Sequence, residues 1–215
     1  FLENYKPKHY KKLLKDPAIR IYTSLFGLYN SDPKDQLSAS YTKIDSLQRL
    51  YMKGLMEMQP DKRFYPDANS TLRVHYGQVD DYYPRDAVKY EYYTTLDGIM
   101  EKENPDIYDY VVEDKLKELY NNKDYGRYAD ADSSMHVCFI ATNHTTGGNS
   151  GSPALNAEGQ LIGINFDRNW EGTMSDLMYD PDLCRNIMID IRYLLFIVDK
   201  FAGAGHLVEE MTIIE

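Results

Sequence analysis

A serine stands in a glycine-rich loop at residues 142–155, which read TNHTTGGNSGSPAL. A serine nucleophile needs an exposed hydroxyl, a tight turn that points N–H groups at one spot, and no bulk beside the attacked carbonyl. Gly147, Gly148 and Gly151 permit such a turn, because glycine adopts backbone angles that other residues avoid. The segment therefore predicts Ser150 as a nucleophile, with the N–H groups of Gly148 and Ser150 spaced as in a backbone oxyanion hole.

The residues after the serine predict a β-hairpin. Two strand-like runs, SPALN and QLIGINF, are joined by the three residues AEG, which suit a short turn that ends in glycine. If Asn156 faces Gln160, then Ser150 lies opposite Phe166, within one residue to allow for a bulge. We therefore expect the residues that follow this second run to return to the side of the serine.

Those returning residues are Phe166, Asp167 and Arg168, and they are candidates for substrate contacts. The side chains of neighbouring residues in a regular strand point to opposite sides, so Asp167 and Arg168 could bind two different parts of a substrate. Their spacing alone is equally compatible with a local Asp–Arg ion pair on the surface. Phe166 is a candidate wall of the pocket.

The first third of the chain has a helical pattern. A helix is predicted at about residues 17–28, and a second one has an apolar stripe that runs from Tyr41 to Met58 at spacings of three and four. The segment NSDPKD separates the two helices. Residues 59–70 are rich in turn formers and end the helical part. The predicted function of these helices is to pack against the rest of the protein, with partner binding as the alternative.

After residue 70 the apolar pattern changes to a period of two, which favours antiparallel strands. The predicted strands share this alternation or a short apolar run and lie at 71–79, 87–96, 135–142, 152–156 and 160–166. A helix is predicted at about 105–121, with Pro105 near its first turn. Residues 186–205 predict a strand that passes into a helix, which Gly203 or Gly205 could cap.

Composition excludes several classes of function. The 215 residues have a formal net charge of −10 with scattered acidic residues, which argues against nucleic-acid binding and against adhesion to anionic membranes. No apolar run reaches the roughly 18 residues of a membrane span. Cys138 and Cys184 could form one disulfide, but the sequence alone cannot pair them. Two cysteines and five histidines without ligand spacing predict no metal site, and no organic cofactor is implied.

The segment TGGNSGSPALNAEGQLIGINFDRNWEG resembles the serine segment of chymotrypsin-like proteases, whose core pattern is G-[DN]-S-G-[GS]-P. It resembles the bacterial S46 dipeptidyl-peptidases more closely, and the likeness continues through CRNIMIDIRYLLFIVDKFAGAGHLVEEM. The resemblance is strong over about residues 135–211 and looser in the helical third and the tyrosine-rich strands.

This resemblance implies an α+β fold in which a helical segment is followed by part of a chymotrypsin-like antiparallel β-barrel with a C-terminal helix. Residues 1–68 would be the end of an α-helical cap domain, and residues 69–215 the C-terminal barrel. The family removes dipeptides from the free N-termini of peptides. Full-length relatives form homodimers, and the family resides in the periplasm or envelope of Gram-negative bacteria.

The resemblance also implies a role for each candidate residue. Ser150 matches the catalytic serine, and the N–H groups of Gly148 and Ser150 match the oxyanion hole. Asp167 matches an aspartate that holds the substrate's N-terminal ammonium. Arg168 matches the arginine that binds an acidic P1 side chain in the subfamily that cleaves after Asp or Glu. Relatives with broader specificity have glycine there, so a broad or hydrophobic P1 preference is one alternative, and a non-catalytic chymotrypsin-like interaction module is another.

The general base is the main departure from the family pattern. His144, His136 and His75 do not match the context of the family's catalytic histidine, which lies far upstream of the serine together with the triad aspartate. The chain begins FLENYKPKHYKK, without an initiator methionine or a signal peptide. We therefore expect a fragment of a longer or processed protein, nearly inactive alone because the triad histidine and aspartate are missing.

Overall fold

The computed structural model describes Lys6, residues 10–31, residues 33–62, Phe64 and residues 70–214. The chain divides into two compact units, Phe1–Tyr65 and Pro66–Glu215. The predicted domain boundary between residues 68 and 69 lies outside the described residues. Helices and antiparallel sheets occur together, so the predicted α+β class is confirmed.

The described residues of the first unit form the helices α1 (Tyr10–Leu13), α2 (Pro17–Tyr29) and α3 (Pro33–Met58). The Oδ1 atom of Asp16 accepts hydrogen bonds from the N–H groups of Ala18 and Ile19, at 2.8 and 3.3 Å, and Pro17 occupies the first turn of α2. This cap and proline begin the helix where the sequence predicts it. Most of the described apolar side chains of the two long helices are exposed, for example Leu25 and Tyr41.

The second unit is built around a five-stranded antiparallel sheet and a separate two-stranded one. The small sheet pairs β1 (Tyr82–Arg85) with β2 (Val88–Tyr90). The large sheet has the order β3-β4-β7-β6-β5. Its strands, in chain order, are β3 (Tyr93–Thr95), β4 (His136–Ala141), β5 (Pro153–Leu155), β6 (Leu161–Arg168) and β7 (Asn186–Asp190). The outer strands β3 and β5 do not pair with each other, so this sheet is open within the described residues.

The main core of the second unit lies between the sheet and short helices. Four α-helices contribute to it: α4 (Leu96–Glu101), α5 (Asp114–Asn121), α6 (Ile191–Phe196) and α7 (Gly205–Glu209). Phe196 of α6 is fully buried there, and Leu96 and Met135 are nearly so. The Asp190 carboxylate at the end of β7 accepts the N–H of Arg192 and begins α6, so the central strand leads directly into the helix that covers the core.

The C-terminal strand-to-helix prediction is confirmed. A π-helical turn, Ile197–Phe201, continues α6. Gly203 then adopts a φ of +68°, and the N–H of Ala204 bonds to the carbonyl of Val198 at 2.9 Å. Gly203 therefore ends the helix in the left-handed conformation that favours glycine, whereas Gly205 begins α7.

The strand predicted at 71–79 is wrong. Within the described residues only Val79 makes a bridge, to Ala141, and the alternating side chains of Leu72 and Val74 are 99% and 86% exposed. Alternation favours a strand only when one face is buried against a neighbour, and this segment covers no core. The segment at 87–96 forms two strands, β2 and β3, instead of one.

The helix predicted at 105–121 is also corrected. It consists of a 3-10 turn, Tyr108–Tyr110, and the separate helix α5. Val111 and Glu113 between them have extended backbone angles, with ψ of 124° and 139°. Val112 lies between them and is buried, so packing of this side chain into the core outweighs continuation of the helix.

Candidate active site

The loop that carries Ser150 is a hydrogen-bonded turn before β5. The Oδ1 atom of Asn149 accepts the N–H of Thr146 at 2.9 Å, and the N–H of Ser152 bonds to the carbonyl of Asn149 at 3.0 Å. Gly148 and Gly151 have φ values of +99° and +84°, in the left-handed region that strains other residues. The two glycines therefore bracket the exposed Ser150 and present it on a tight turn.

The register of the hairpin agrees with the prediction within the one residue allowed for a bulge: Leu155 faces Leu161, and after a register shift Pro153 faces Ile164. Asn156 donates its N–H to the carbonyl of Gln160 at 3.0 Å. At the open end, the N–H of Gly151 bonds to the carbonyl of Asn165 at 2.8 Å. The Ser150 hydroxyl donates to the carbonyl of Phe166 at 3.3 Å, so the serine faces the predicted position on β6.

The predicted oxyanion donors lie in this turn. Gly148 and Ser150 are exposed, and neither N–H group donates a hydrogen bond to another residue in the described part of the chain. Donors of an oxyanion hole must be available to the substrate oxygen, because a backbone carbonyl would otherwise compete for them. Both N–H groups are therefore available to a ligand in the described part of the chain, and their role as oxyanion donors stays a prediction.

A chain of asparagine amides supports the serine loop, and the sequence analysis missed it. The Nδ2 group of Asn186 on β7 donates to Oδ1 of Asn165 on β6 at 3.0 Å. The Nδ2 group of Asn165 donates to the carbonyl of Asn149 at 3.3 Å. Asn165 and Asn186 are both buried. The asparagines inside the otherwise apolar runs QLIGINF and NIMID are the signal that could have revealed this support, because buried amides need hydrogen-bond partners.

A β-bulge changes the direction of β6 near its end. Asn165 pairs with Met188 of β7 while Asp167 pairs with Ile187, so Phe166 has no opposite residue on that strand. Phe166 is 45% exposed. A bulge bends the strand and increases its twist, and here it acts immediately before the two charged candidate residues.

Asp167 and Arg168 do not form the local ion pair that spacing alone allowed. Oδ1 of Asp167 accepts the backbone N–H of Arg168 at 2.8 Å, and the carboxylate is exposed. The Arg168 guanidinium instead binds Asp176, with Nη1 to Oδ1 and Nη2 to Oδ2 both at 2.8 Å. Nη1 also donates to Oγ of Ser175 at 2.5 Å. The sequence analysis missed Asp176 and Ser175.

The two missed residues lie at the end of a 3-10 helix, Trp170–Asp176, that directly follows β6. Asn169 fixes where this helix begins. Its Nδ2 group donates to the carbonyl of Leu183 at 2.7 Å, and its Oδ1 accepts the N–H of Arg185 at 2.9 Å. The position of Ser175 and Asp176 beside Arg168 therefore depends on the segment that leads into β7.

Electrostatics around Arg168 favour the charged forms of both partners. The hydrogen bonds from Arg168 lower the pKa of the Asp176 carboxyl below its ordinary value. The same hydrogen bonds raise the pKa of the Arg168 guanidinium. A small pocket beside this pair is lined by His144, Tyr179 and Asn186 among others. The Arg168 guanidinium is therefore a cation held in place by two acceptors, which is the kind of group that binds a carboxylate.

His75, His136 and His144 have contacts with groups other than the Ser150 hydroxyl. Burial lowers the pKa of His144, which favours the neutral imidazole, and its Nε2 lies 3.2 Å from the carbonyl of Ser175. Nδ1 of His75 lies 2.5 Å from the carbonyl of His144. Nδ1 of His136 lies 3.3 Å from Asp130. The hydroxyl of Ser150 donates to a carbonyl and not to an imidazole, so the described residues do not assemble a serine–histidine pair.

Two further features bear on cofactors and membranes. Among the described residues, no group of three or more His, Cys, Asp or Glu side chains could hold a metal ion, and Cys138 and Cys184 are both free thiols. No helix in the described ranges combines the length and the apolar character needed to cross a bilayer.

Comparisons with known proteins cover nearly the whole chain. The family model described as Peptidase S46 matches residues 1–213. An Asp/Glu-specific dipeptidyl-peptidase of Capnocytophaga gingivalis is 59% identical over 194 residues, which are 90% of this chain and 26% of that relative. An Asp/Glu-specific dipeptidyl-peptidase of Flavobacterium psychrophilum is 54% identical over 204 residues, which are 95% of this chain and 28% of that relative.

A solved structure is similar over the same extent. The crystal structure of Porphyromonas endodontalis DPP11 in complex with substrate matches with a TM-score of 0.81 and 44% sequence identity. The match covers 95% of this chain and 31% of that one. This chain therefore spans less than a third of the length of each of these three proteins.

Proposed function

This chain belongs to the peptidase S46 family, and we propose that it is the C-terminal part of a serine exopeptidase that releases dipeptides with Asp or Glu at P1. One observation carries the proposal: a single hairpin holds Ser150 opposite Phe166 and places Arg168 two residues further along β6. A nucleophile and a cation for an acidic side chain thus share one rigid element. The relatives named Asp/Glu-specific dipeptidyl-peptidase support the same specificity.

In the proposed reaction Ser150 attacks the carbonyl carbon of the second peptide bond of the substrate. The Ser150 proton passes to a general base, and the tetrahedral oxygen accepts hydrogen bonds from the N–H groups of Gly148 and Ser150. The protonated base then gives its proton to the leaving amine, and the dipeptide remains as an ester on Ser150. Water, deprotonated by the same base, hydrolyses this ester and frees the dipeptide.

Two charges set the length and the specificity of the proposed substrate. A carboxylate loses hydration when it enters a pocket, and the guanidinium of Arg168 can return two parallel hydrogen bonds and a full opposite charge. The exposed carboxylate of Asp167 suits the free ammonium of the substrate, one residue further from the scissile bond. Phe166, half exposed at the bulge, is proposed as a wall of the same site.

The general base is proposed to come from a part of the longer protein outside this sequence. Ser150 bonds to a carbonyl, and the Nε2 atom of His144 faces the Ser175 carbonyl. This chain spans about a quarter of the length of its relatives, and we propose that the triad histidine and aspartate lie in the other three quarters. The 215-residue chain alone is then expected to be nearly inactive. Robust turnover by this chain that His144→Ala abolishes would contradict that expectation.

The domain assignment is proposed on the same basis. The open five-stranded antiparallel sheet with its C-terminal helices fits one barrel of a chymotrypsin-like peptidase that is completed by further chain. The exposed apolar side chains of α2 and α3 fit the end of an α-helical cap domain that packs against segments of the longer protein. A crystal structure of the full-length protein tests both assignments.

The experiment that tests the function uses the full-length protein. A fluorophosphonate probe is expected to label it at Ser150, and peptides with Xaa–Asp or Xaa–Glu at their N-terminus are expected to release that dipeptide. The Ser150→Ala variant should lose labelling and turnover while it keeps the fold, as judged by circular dichroism. Ser152→Ala is a matched control, because that hydroxyl lies two residues away in the same turn. Turnover that survives in Ser150→Ala would refute the proposed nucleophile.

Two alternatives predict different outcomes. A family member with broad or hydrophobic P1 specificity would cleave Xaa–Leu peptides as well as Xaa–Asp peptides, although the cation of Arg168 on the strand that faces Ser150 favours the acidic class. A non-catalytic chymotrypsin-like module would neither label nor turn over. The exposed serine on its glycine turn favours catalysis over this module.

Location and assembly are proposed from the family resemblance. We propose that the longer protein lies in the periplasm or envelope of a Gram-negative bacterium and forms a homodimer. Cell fractionation with an antibody to the chain tests the first proposal. Light scattering of the purified full-length protein tests the second, and a mass of one subunit would contradict it.

A further inference from the structure

We propose that Asp176, together with Ser175, is a positioning residue that holds the end of the Arg168 guanidinium so that its Nε–Nη2 edge binds the acidic P1 side chain. This inference rests on the role proposed for Arg168 and adds to it a part for two residues that no comparison assigns. Arg168, the cation proposed to bind the substrate, already binds the carboxylate of Asp176 in its own chain.

The count of guanidinium N–H groups shows what remains for a substrate. A guanidinium offers five N–H donors in a fixed planar fork. Asp176 accepts one from Nη1 and one from Nη2, and Oγ of Ser175 accepts the second from Nη1. The two that are left, on Nε and Nη2, lie parallel along one edge. In the part of the chain that the structure describes, this edge donates to no acceptor, so a carboxylate can bind it through two hydrogen bonds.

The holding groups are themselves fixed. Ser175 is only 2% exposed, and its carbonyl lies 3.2 Å from Nε2 of His144. The 3-10 helix that ends at Asp176 is anchored at its start by the hydrogen bonds between Asn169 and Arg185. An arginine held from a rigid element loses its rotamer freedom on folding and not on substrate binding, which favours binding of the substrate.

Asp176 also repels the carboxylate of an acidic substrate, but this repulsion is weaker than the attraction from Arg168. The Asp176 side chain is 49% exposed, so water and salt screen the repulsion. Arg168 is more enclosed, at 27%. Its attraction for the substrate is therefore screened less than the repulsion from Asp176.

The test measures kcat and KM of the full-length peptidase on Xaa–Asp and Xaa–Leu fluorogenic substrates. Asp176→Ala is expected to raise KM for the Xaa–Asp substrate about 10-fold with kcat little changed, and to change kcat/KM for Xaa–Leu by less than about 2-fold. Asp176→Glu, which keeps the carboxylate, should recover part of the loss. Asp182→Ala removes an exposed carboxylate six residues away and is the matched control, for which no change is expected.

Each other outcome overturns the inference in an identifiable way. A lower KM for Xaa–Asp in Asp176→Ala would mean that Asp176 competes with the substrate for Arg168. Equal losses on both substrates would mean that Asp176 only supports the fold of the loop. In an Arg168→Gly background, Asp176→Ala should cause no further loss on Xaa–Asp, and a further loss would show that it does not act through Arg168. If Arg168→Gly itself keeps the acidic preference, the proposed role of Arg168 fails, and this inference fails with it.

Discussion

Replacing Arg168 by glycine is expected to remove most of the preference for an acidic P1 residue. The substrate carboxylate would enter the pocket without the cation that compensates its lost hydration. Truncation of one partner of a buried, hydrogen-bonded charge pair typically costs about 2–5 kcal/mol. Arg168 keeps 27% of its side chain exposed, which places the expected cost in the lower half of that range, at about 3 kcal/mol. This cost corresponds to a fall of about 150-fold in kcat/KM for Xaa–Asp substrates.

The effect should be selective for acidic substrates and should not arise from unfolding. An apolar P1 side chain makes no charge pair, so kcat/KM for Xaa–Leu is expected to change by less than about 3-fold. The lost pair between Arg168 and Asp176 involves a half-exposed carboxylate, and exposed pairs contribute only about 0–1 kcal/mol to stability. The melting temperature of the full-length variant is the control for this point.

The assay compares initial rates of dipeptide release from the two substrate series at fixed ionic strength and neutral pH. Arg168→Lys is the informative intermediate, because lysine keeps the charge but cannot donate two parallel hydrogen bonds. We expect it to lie between wild type and Arg168→Gly on Xaa–Asp. Equal losses of Arg168→Gly on Xaa–Asp and Xaa–Leu would refute the reasoning, since Arg168 would then be a structural residue of the pocket.

Two further predictions concern the packing and the electrostatics of the second unit. Gly163→Ala should destabilise the full-length protein by about 1–3 kcal/mol, because the new Cβ would lie 2.7 Å from the carbonyl of Ile189. Gly98→Ala, where a Cβ meets nothing within 4 Å, should not lower the melting temperature, and a similar drop in both would contradict the packing argument. Hydrogen bonds from Arg192 lower the pKa of Asp130, so its contribution to stability is present above the unfolded pKa of about 3.9 and is lost as pH falls through the lower folded value. Asp130→Asn should therefore lower the melting temperature at pH 6 and change it less in strong acid. A change in melting temperature that grows on acidification would contradict a stabilising role for the Asp130 charge.

The hairpin was predictable because every contact that defines it is local. The turn at Asn156 and the glycine turn around Ser150 involve residues close together in sequence, and the alternating apolar positions fix which face is buried. Two antiparallel strands joined by three residues have few possible registers. The structure accordingly brings the Ser150 hydroxyl to the carbonyl of Phe166, within the one residue that the prediction allowed for a bulge.

The strand at 71–79 failed for the opposite reason. Its alternation of Leu72, Val74 and Tyr76 is as regular as that of a true strand, but those side chains are exposed. Sheet stability depends on cross-strand neighbours and burial, and neither is encoded in the segment itself. The partners of Arg168 were missed on similar grounds. The route of the chain from β6 back to Asp176 depends on hydrogen bonds between Asn169 and the segment before β7, which is distant in sequence.

The sequence by itself determined the family, the nucleophile candidate and the place of its charged neighbours, since these follow from a specific motif and a local hairpin. Only the tertiary structure decided the order β4-β7-β6, the amide chain that supports the serine loop, and the pairing of Arg168 with Asp176 and Ser175. These contacts join segments whose approach depends on burial of a shared core. A sequence pattern records which residues prefer burial, but not which distant segment provides the partner.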